Sequence, residues 1–118
     1  MPEKTLLVVD DSPLSRMMVK SYAEAEYPDW SVFEASNAIE ATELSDKKNF
    51  DYMTIDYNMP GMDGLTLIHQ LRDSHPRTKI ALLTGSINAD IQKEASELGI
   101  HFIQKPITQA KIVNYLKN

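Results

Sequence analysis

Asp56 closes the apolar run Tyr52-Met53-Thr54-Ile55 and is followed at once by a turn, Tyr57-Asn58-Met59-Pro60-Gly61-Met62-Asp63-Gly64. A second apolar run, Leu6-Leu7-Val8-Val9, ends the same way, in the carboxylate pair Asp10-Asp11. Two further runs end in other polar groups: Ile80-Ala81-Leu82-Leu83 in Thr84, and Phe102-Ile103-Gln104 in Lys105-Pro106. If these runs are parallel strands, three carboxylates, a hydroxyl and an ammonium collect at one edge of one sheet. Such a set suits a divalent cation and a phosphoryl group. Neighbouring strands lie ~4.8 Å apart, so the carboxylates would sit within a few ångströms of one another. Unpaired like charges that close repel strongly. Either a raised pKa on one of them or a bound cation relieves the repulsion. All-oxygen ligands point to Mg2+ or Mn2+ rather than Zn2+, and the chain turns at Asn58, so that carbonyl can face the metal.

The elements that would position these groups are legible. The apolar runs are short and nearly continuous, as suits strands buried on both faces. Helical spacing fills the stretches between them. Ser12 can cap a first helix with Pro13 at its first position; its apolar stripe reads Leu14, Met17, Met18, Tyr22 and Ala25, and Tyr27-Pro28-Asp29 ends it. Ser31 to Ala35 alternates like an edge strand. Ser36 or Asn37 can cap a second helix running to about Lys48, and Asp63 a third with Leu65, Ile68 and Leu71. Asn88 can cap a fourth, which Gly99 terminates, and Thr108 a fifth with Ile112, Val113 and Leu116. Strand and helix thus alternate five times, which predicts an α/β domain with a parallel sheet covered on both faces. Ligands bind beyond the carboxyl ends of strands where the winding direction reverses. The carboxylates follow the first and third strands, so those two should flank that point. The resulting order, 2-1-3-4-5, is that of the doubly wound flavodoxin-like (βα)5 fold and is taken here by analogy with it.

In that order Thr84 lies one strand from Asp56, within reach of a short hydroxyl. Lys105 lies two strands away, ~10 Å between strand axes, a gap that a lysine stem spans. The reaction class this suggests is attack of the Asp56 carboxylate on phosphorus, giving an acyl phosphate. The metal and Lys105 would stabilise charge on the equatorial oxygens. Gly85 keeps the approach to Asp56 open.

Composition narrows the alternatives. At 118 residues the chain reads as a single domain spanning 1–118. A formal net charge of -5, with no basic cluster longer than Lys47-Lys48, disfavours nucleic acid and membrane surfaces as partners. The absence of cysteine excludes disulfides and thiolate metal sites, and fits a cytoplasmic location. Apolar runs no longer than Leu6–Val9 fall far short of the ~20 residues of a membrane span. The N-terminus lacks the pattern of a signal peptide.

The segments VVDDS at 8–12, DYNMPGMDG at 56–64, LLTG at 82–85 and QKPI at 104–107 together resemble the receiver domain of two-component response regulators. They cover nearly the whole chain in the family's order. The resemblance implies a phosphoprotein with an aspartyl phosphate on Asp56. It implies Mg2+ held by Asp11, Asp56 and the carbonyl of Asn58, with Asp10 acting through water. Thr84 would engage the phosphoryl group, Lys105 would balance its charge and be joined to Pro106 by a cis bond, and Phe102 takes the place of the switch aromatic. The implied donor is a histidine kinase or phosphotransfer protein. The implied output is a downstream target protein bound by the fourth helix, fifth strand and fifth helix, in chemotaxis or another pathway. The chain would not be an enzyme, but a phosphoacceptor assisting its own phosphorylation and dephosphorylation. Two features depart from the pattern. The switch position holds Phe where Tyr is common, and the stretch from Gly99 to Lys105, with His101 in the loop before the last strand, is one residue short. Tyr57, Asn58 and Ser86 lie near the acceptor and the threonine, where neighbouring residues tune dephosphorylation in such proteins.

Blander readings stand beside these. Asp10-Asp11 can be a polar strand end, Thr84 a strand-end hydroxyl, and Phe102 ordinary core. Met17, Met18, Met59 and Met62 read as packing, Trp30 as a packing anchor, and Gly61 and Gly64 as backbone requirements. His69, His75 and His101 are scattered, and Glu40, Glu43, Lys93, Glu94 and Glu97 read as solvated helix faces. Rival functions are an unphosphorylated interaction module, a phosphorelay shuttle, and a phosphatase using Asp56 on an external substrate. A phosphatase of this winding usually needs a second carboxylate two residues past the nucleophile, where this chain has Asn58. A flavodoxin-like cofactor binder would need a Ser/Thr/Gly-rich first loop, where this chain is acidic.

Overall fold

A computed structural model describes residues 3–85 and 88–117. The elements run β1 (Thr5–Val9), α1 (Pro13–Glu26), β2 (Ser31–Ala35), α2 (Ala38–Lys47), β3 (Tyr52–Asp56), α3 (Gly64–Ser74), β4 (Lys79–Thr84), α4 (Ala89–Leu98), β5 (His101–Gln104) and α5 (Gln109–Leu116). The five strands form one parallel sheet in the order β2-β1-β3-β4-β5. Successive side chains of a strand point to opposite faces, and β1 divides its apolar run accordingly. Leu7 and Val9 pack under α2 and α3 with Met53, Ile55 and Ile68. Leu6 and Val8 pack under α1 and α5 with Val19, Ala23 and Ile112.

Each helix starts where a short polar side chain satisfies a free backbone N–H of its first turn. Ser12 accepts from Ser15 N, Asn37 from Glu40 N, Asp63 from Thr66 N, Asn88 from Asp90 N and Ile91 N, and Thr108 from Lys111 N. At α2 the cap is Asn37, not Ser36. Ser36 instead donates its N–H and hydroxyl to Glu40 Oε1, both at 2.7 Å, so the Glu40 side chain reaches back to the residue before the cap. Glu40 is therefore a capping residue, and those bonds hold its carboxyl below the usual carboxylate range.

Two sequence expectations need correction. The buried stripe of α1 is Val19 and Ala23, with Met18 and Tyr22 alongside. Leu14 and Met17 are 61% and 57% exposed, and Ala25 faces out as well. Apolar residues cover more than half the circumference of α1, so periodicity alone does not select the side that packs. His101 does not lie in a loop: it opens β5, opposite Ala81, with its ring 5.0 Å from that of Tyr115. Trp30 is the packing anchor the sequence indicated, stacked between Tyr27 at 4.2 Å and Tyr52 at 5.3 Å.

Candidate functional site

The strands are parallel, so their carboxyl ends share one edge of the sheet. Asp56 is the last residue of β3, Thr84 the last of β4, Asp10 and Asp11 follow β1, and Lys105 follows β5. The order places β3 beside both β1 and β4. Asp10, Asp11 and Asp56 each present a carboxylate oxygen, and these oxygens lie within 4.8 Å of one another. Asp10 and Asp56 are buried while Asp11 is exposed, so the cluster opens to solvent on the Asp11 side.

Backbone contacts hold each loop that carries a site residue. Asp10 N donates to Ala35 O at 3.1 Å, Tyr57 N to Leu83 O at 2.8 Å, and Lys105 N to Thr84 O at 2.9 Å. The 56–64 turn closes through Gly64 N donating to Tyr57 O at 2.8 Å. A Cβ on Gly64 would stand 2.4 Å from the backbone oxygen of Asp56, so only glycine fits there. Gly61 supplies the positive φ of 85° that lets the turn reverse. A Cβ on Gly85 would meet nothing within 4 Å, so that glycine leaves the approach clear without being demanded by packing.

Lys105 Nζ lies 3.0 Å from Asp56 Oδ1 and 3.5 Å from Asp10 Oδ2. The stem thus bridges the strand gap as its length allows, and the Lys105–Pro106 bond is cis as expected. One ammonium faces three carboxylates. Burial pushes the Asp56 carboxyl above its ordinary range; the ammonium opposes the shift and the Asp10 charge adds to it. Burial raises Asp10 as well, against the Ser12 N–H that its Oδ1 accepts at 2.9 Å. Burial by itself would lower Lys105, but its contacts with Asp56 and Asp10 outweigh this, and its pKa is raised. Asp56 Oδ1 makes no well-directed hydrogen bond among the described residues despite its nearness to Lys105. A buried carboxylate oxygen of this kind, in an excess of negative charge, fits a hard divalent cation. Asp11, Tyr57, Asn58, Met59, Pro60 and Asp63 line a cleft of about 320 Å³ beside the carboxylates, with room for a cation and its waters.

Thr84 is fully buried and pairs with Gln104 across the β4–β5 ladder, while Phe102 pairs with Leu82. Positions 82 and 84 share a face of β4, so Thr84 and Phe102 lie on the same side of adjacent strands. Phe102 is half-buried and packs against the cluster beneath α3 and α4. Met59 and Met62 pack against that cluster too. Ser86 lies outside the described residues.

Sequence reasoning missed Arg16. Its Nη1 donates to Asp10 O at 2.6 Å, and its Nε meets Glu34 at 3.2 Å. The signal was available: residue 16 lies one helical turn past the Ser12 cap, on the turn that overhangs the acidic loop. The histidines stay apart from the site. His69 pairs with Glu94 at 2.9 Å, and His75 meets Asn49 at 3.2 Å. A cleft of about 380 Å³ between Asn49–Asp51 and Ser74–Thr78 lies at the opposite end of the sheet. There Asp51 and Thr78 are engaged with Thr5 and Phe50, and the acid cluster is absent.

Comparison with known proteins agrees with this geometry. A family model described as the response regulator receiver domain matches residues 6–117. The transcriptional regulatory protein SrrA of Staphylococcus aureus is 34% identical over 113 residues, covering 95% of this chain. The match takes in 46% of SrrA, so the chain spans about half the length of the curated relatives it matches. Among solved structures, the chemotaxis response regulator CheY4 of Vibrio cholerae superimposes with a TM-score of 0.87 at 26% identity, covering 98% of both chains. The response regulator TrrA of Thermotoga maritima, solved in complex with Mg2+ and beryllofluoride, superimposes with a TM-score of 0.84 at 27% identity, covering 97% of this chain and 96% of that one.

Proposed function

The chain belongs to the response regulator receiver family, and we propose that it accepts a phosphoryl group on Asp56 from the phosphohistidine of a partner kinase or phosphotransfer protein. The observation that carries this reading is the buried Asp56 carboxylate, flanked by Asp10 and Asp11 and met by Lys105 at 3.0 Å. A carboxylate oxygen of Asp56 attacks phosphorus, the phosphorus–nitrogen bond breaks, and the imidazole leaves with its electron pair. The product is an acyl phosphate. Asp11, Asp56 and the Asn58 carbonyl would hold Mg2+, or Mn2+, with Asp10 acting through water. When bound, the metal supplies positive charge against the phosphoryl oxygens. Lys105, at 3.0 Å from Asp56, supplies a second positive charge, which burial strengthens. The chain serves as a phosphoacceptor that assists its own phosphorylation and dephosphorylation, with no external substrate.

Switching would rest on Thr84, buried at the end of β4. Its hydroxyl moves toward the phosphoryl oxygens, and Phe102, on the same side of the next strand, turns into the space released. The face formed by α4, β5 and α5 is thereby changed for a target protein. A phosphoryl group shifts this equilibrium only by its differential stabilisation of the two forms. A swing from 1:99 to 99:1 takes ~5.5 kcal/mol.

Beryllofluoride titration tests this. Binding should require Mg2+, vanish in Asp56→Asn, and alter amide exchange in α4, β5 and α5. Exchange changes confined to the loops around Asp56 would remove the proposed output face, and absence of binding would remove the whole reading.

A further inference from the structure

Lys111 stands in an electrostatically poor place. It is the third residue of α5, next to the positive end of the helix dipole, where Glu or Gln is the favoured type. The first turn of α5 carries no acidic residue to compensate. Its ammonium is nonetheless engaged: Nζ donates to Gln104 O at 2.8 Å and to Pro106 O at 3.2 Å. Those two carbonyls flank Lys105 on either side. β5 is an edge strand, so the ladder secures this backbone from the β4 side alone, through Lys105 N donating to Thr84 O at 2.9 Å.

We propose that Lys111 is a positioning residue for Lys105: by tying the two carbonyls that bracket Lys105, it fixes the root from which that ammonium reaches Asp56 and Asp10. The inference rests on the phosphoacceptor reading above. A long flexible stem delivers its charge to a fixed point only if the backbone at its base is fixed. A misplacement of about 1 Å at a reacting centre costs up to ~100-fold in rate. Lys111 touches neither carboxylate nor phosphoryl group and acts only through Lys105. Its backbone N–H is separately held by the Thr108 cap at 3.2 Å, so removing the ammonium leaves the helix start intact.

The test compares wild type with Lys111→Met, which keeps the stem and removes the charge, and Lys111→Arg, which keeps the charge and enough N–H donors for both carbonyls. Three quantities are measured: the rate of phosphorylation by acetyl phosphate at saturating Mg2+, the Mg2+ affinity, and the unfolding temperature. Lys111→Met should phosphorylate about tenfold more slowly, since a displaced ammonium forfeits part of that orientation effect. Its Mg2+ affinity should stay within about twofold, because the carboxylates and the Asn58 turn are untouched. Its unfolding temperature should hold, and Lys111→Arg should recover most of the rate. A Lys111→Met rate indistinguishable from wild type would overturn the inference. So would a loss of Mg2+ affinity and thermal stability in parallel with the rate, which marks general loosening. If wild type itself takes up neither phosphoryl group nor beryllofluoride, the phosphoacceptor reading falls first.

Discussion

At the scale of single residues, the site is set against itself. Asp10 and Asp56 are buried with raised pKa values, Asp11 adds a third charge, and Lys105 offsets only part of the excess. Replacing Asp56 by Asn should therefore stabilise the metal-free protein, by on the order of 1 kcal/mol, because the neutral isostere removes a disfavoured buried charge. Thermal unfolding in a chelator measures this, and a clear loss of stability would show the Lys105 pair to dominate. The pH dependence has a definite sign. The folded state holds protons on Asp10 and Asp56 at pH values where the unfolded chain, with ordinary carboxylates near pH ~4, has released them. Metal-free stability should then fall as pH rises from the ordinary to the raised pKa values. Mg2+ competes with those same protons, so its affinity should weaken on acidification before the ordinary carboxylate range is reached. Isothermal titration across that range checks it, and a flat affinity profile down to pH ~4 would contradict it.

At the scale of elements, the caps and the sheet were legible in the sequence and the outer face of α1 was not. Ser12, Asp63, Asn88 and Thr108 each precede a helical run, and each caps it in the structure, because a short side-chain oxygen there has one good partner. The adjacency of β1 and β3 followed from placing their carboxylates together, and the full strand order came by analogy with the doubly wound fold. In α1 the apolar residues crowd more than one side, and the choice between them is made by tertiary packing that no local pattern encodes. Tyr115 escaped notice for a similar reason. Its hydroxyl reaches across the sheet to Met53 O at 2.9 Å and Lys79 O at 2.7 Å, a long-range contact with no signal in sequence spacing. Burial raises its phenol well above the usual range. The 56–64 turn is the element on which the site depends most. Gly64→Ala would drive a methyl group into the Asp56 carbonyl, and should cost about 1–3 kcal/mol as overpacking does. It should weaken Mg2+ binding at the same time. A variant that unfolds like wild type in denaturant would show the turn to be more yielding than its geometry implies.

At the scale of the whole molecule, the sheet gathers residues from positions 10, 56, 84 and 105 at one edge, and leaves β5 as an outer strand with α4 packed on one face and α5 on the other. Among the described residues no helix is long and apolar enough to cross a membrane. The identity of a partner is not written in the motifs, which specify only the acid cluster, the threonine and the lysine at the sheet edge. Metal binding should be felt globally. At a free Mg2+ concentration 100-fold above its dissociation constant, the folded state gains ~2.7 kcal/mol, seen as a raised unfolding temperature that Asp56→Asn largely abolishes. An unfolding temperature indifferent to Mg2+ would refute the assignment of the acid cluster as a cation site. Whether Asp56 is a Mg2+-dependent phosphoacceptor is read from intact mass after incubation with acetyl phosphate. Wild type, wild type in chelator and Asp56→Asn are run side by side. A single added phosphoryl mass is expected in wild type with Mg2+ and none in the other two. An adduct that persists without Mg2+ or in Asp56→Asn, or a wild type that neither gains the mass nor hydrolyses acetyl phosphate faster than buffer, would contradict it.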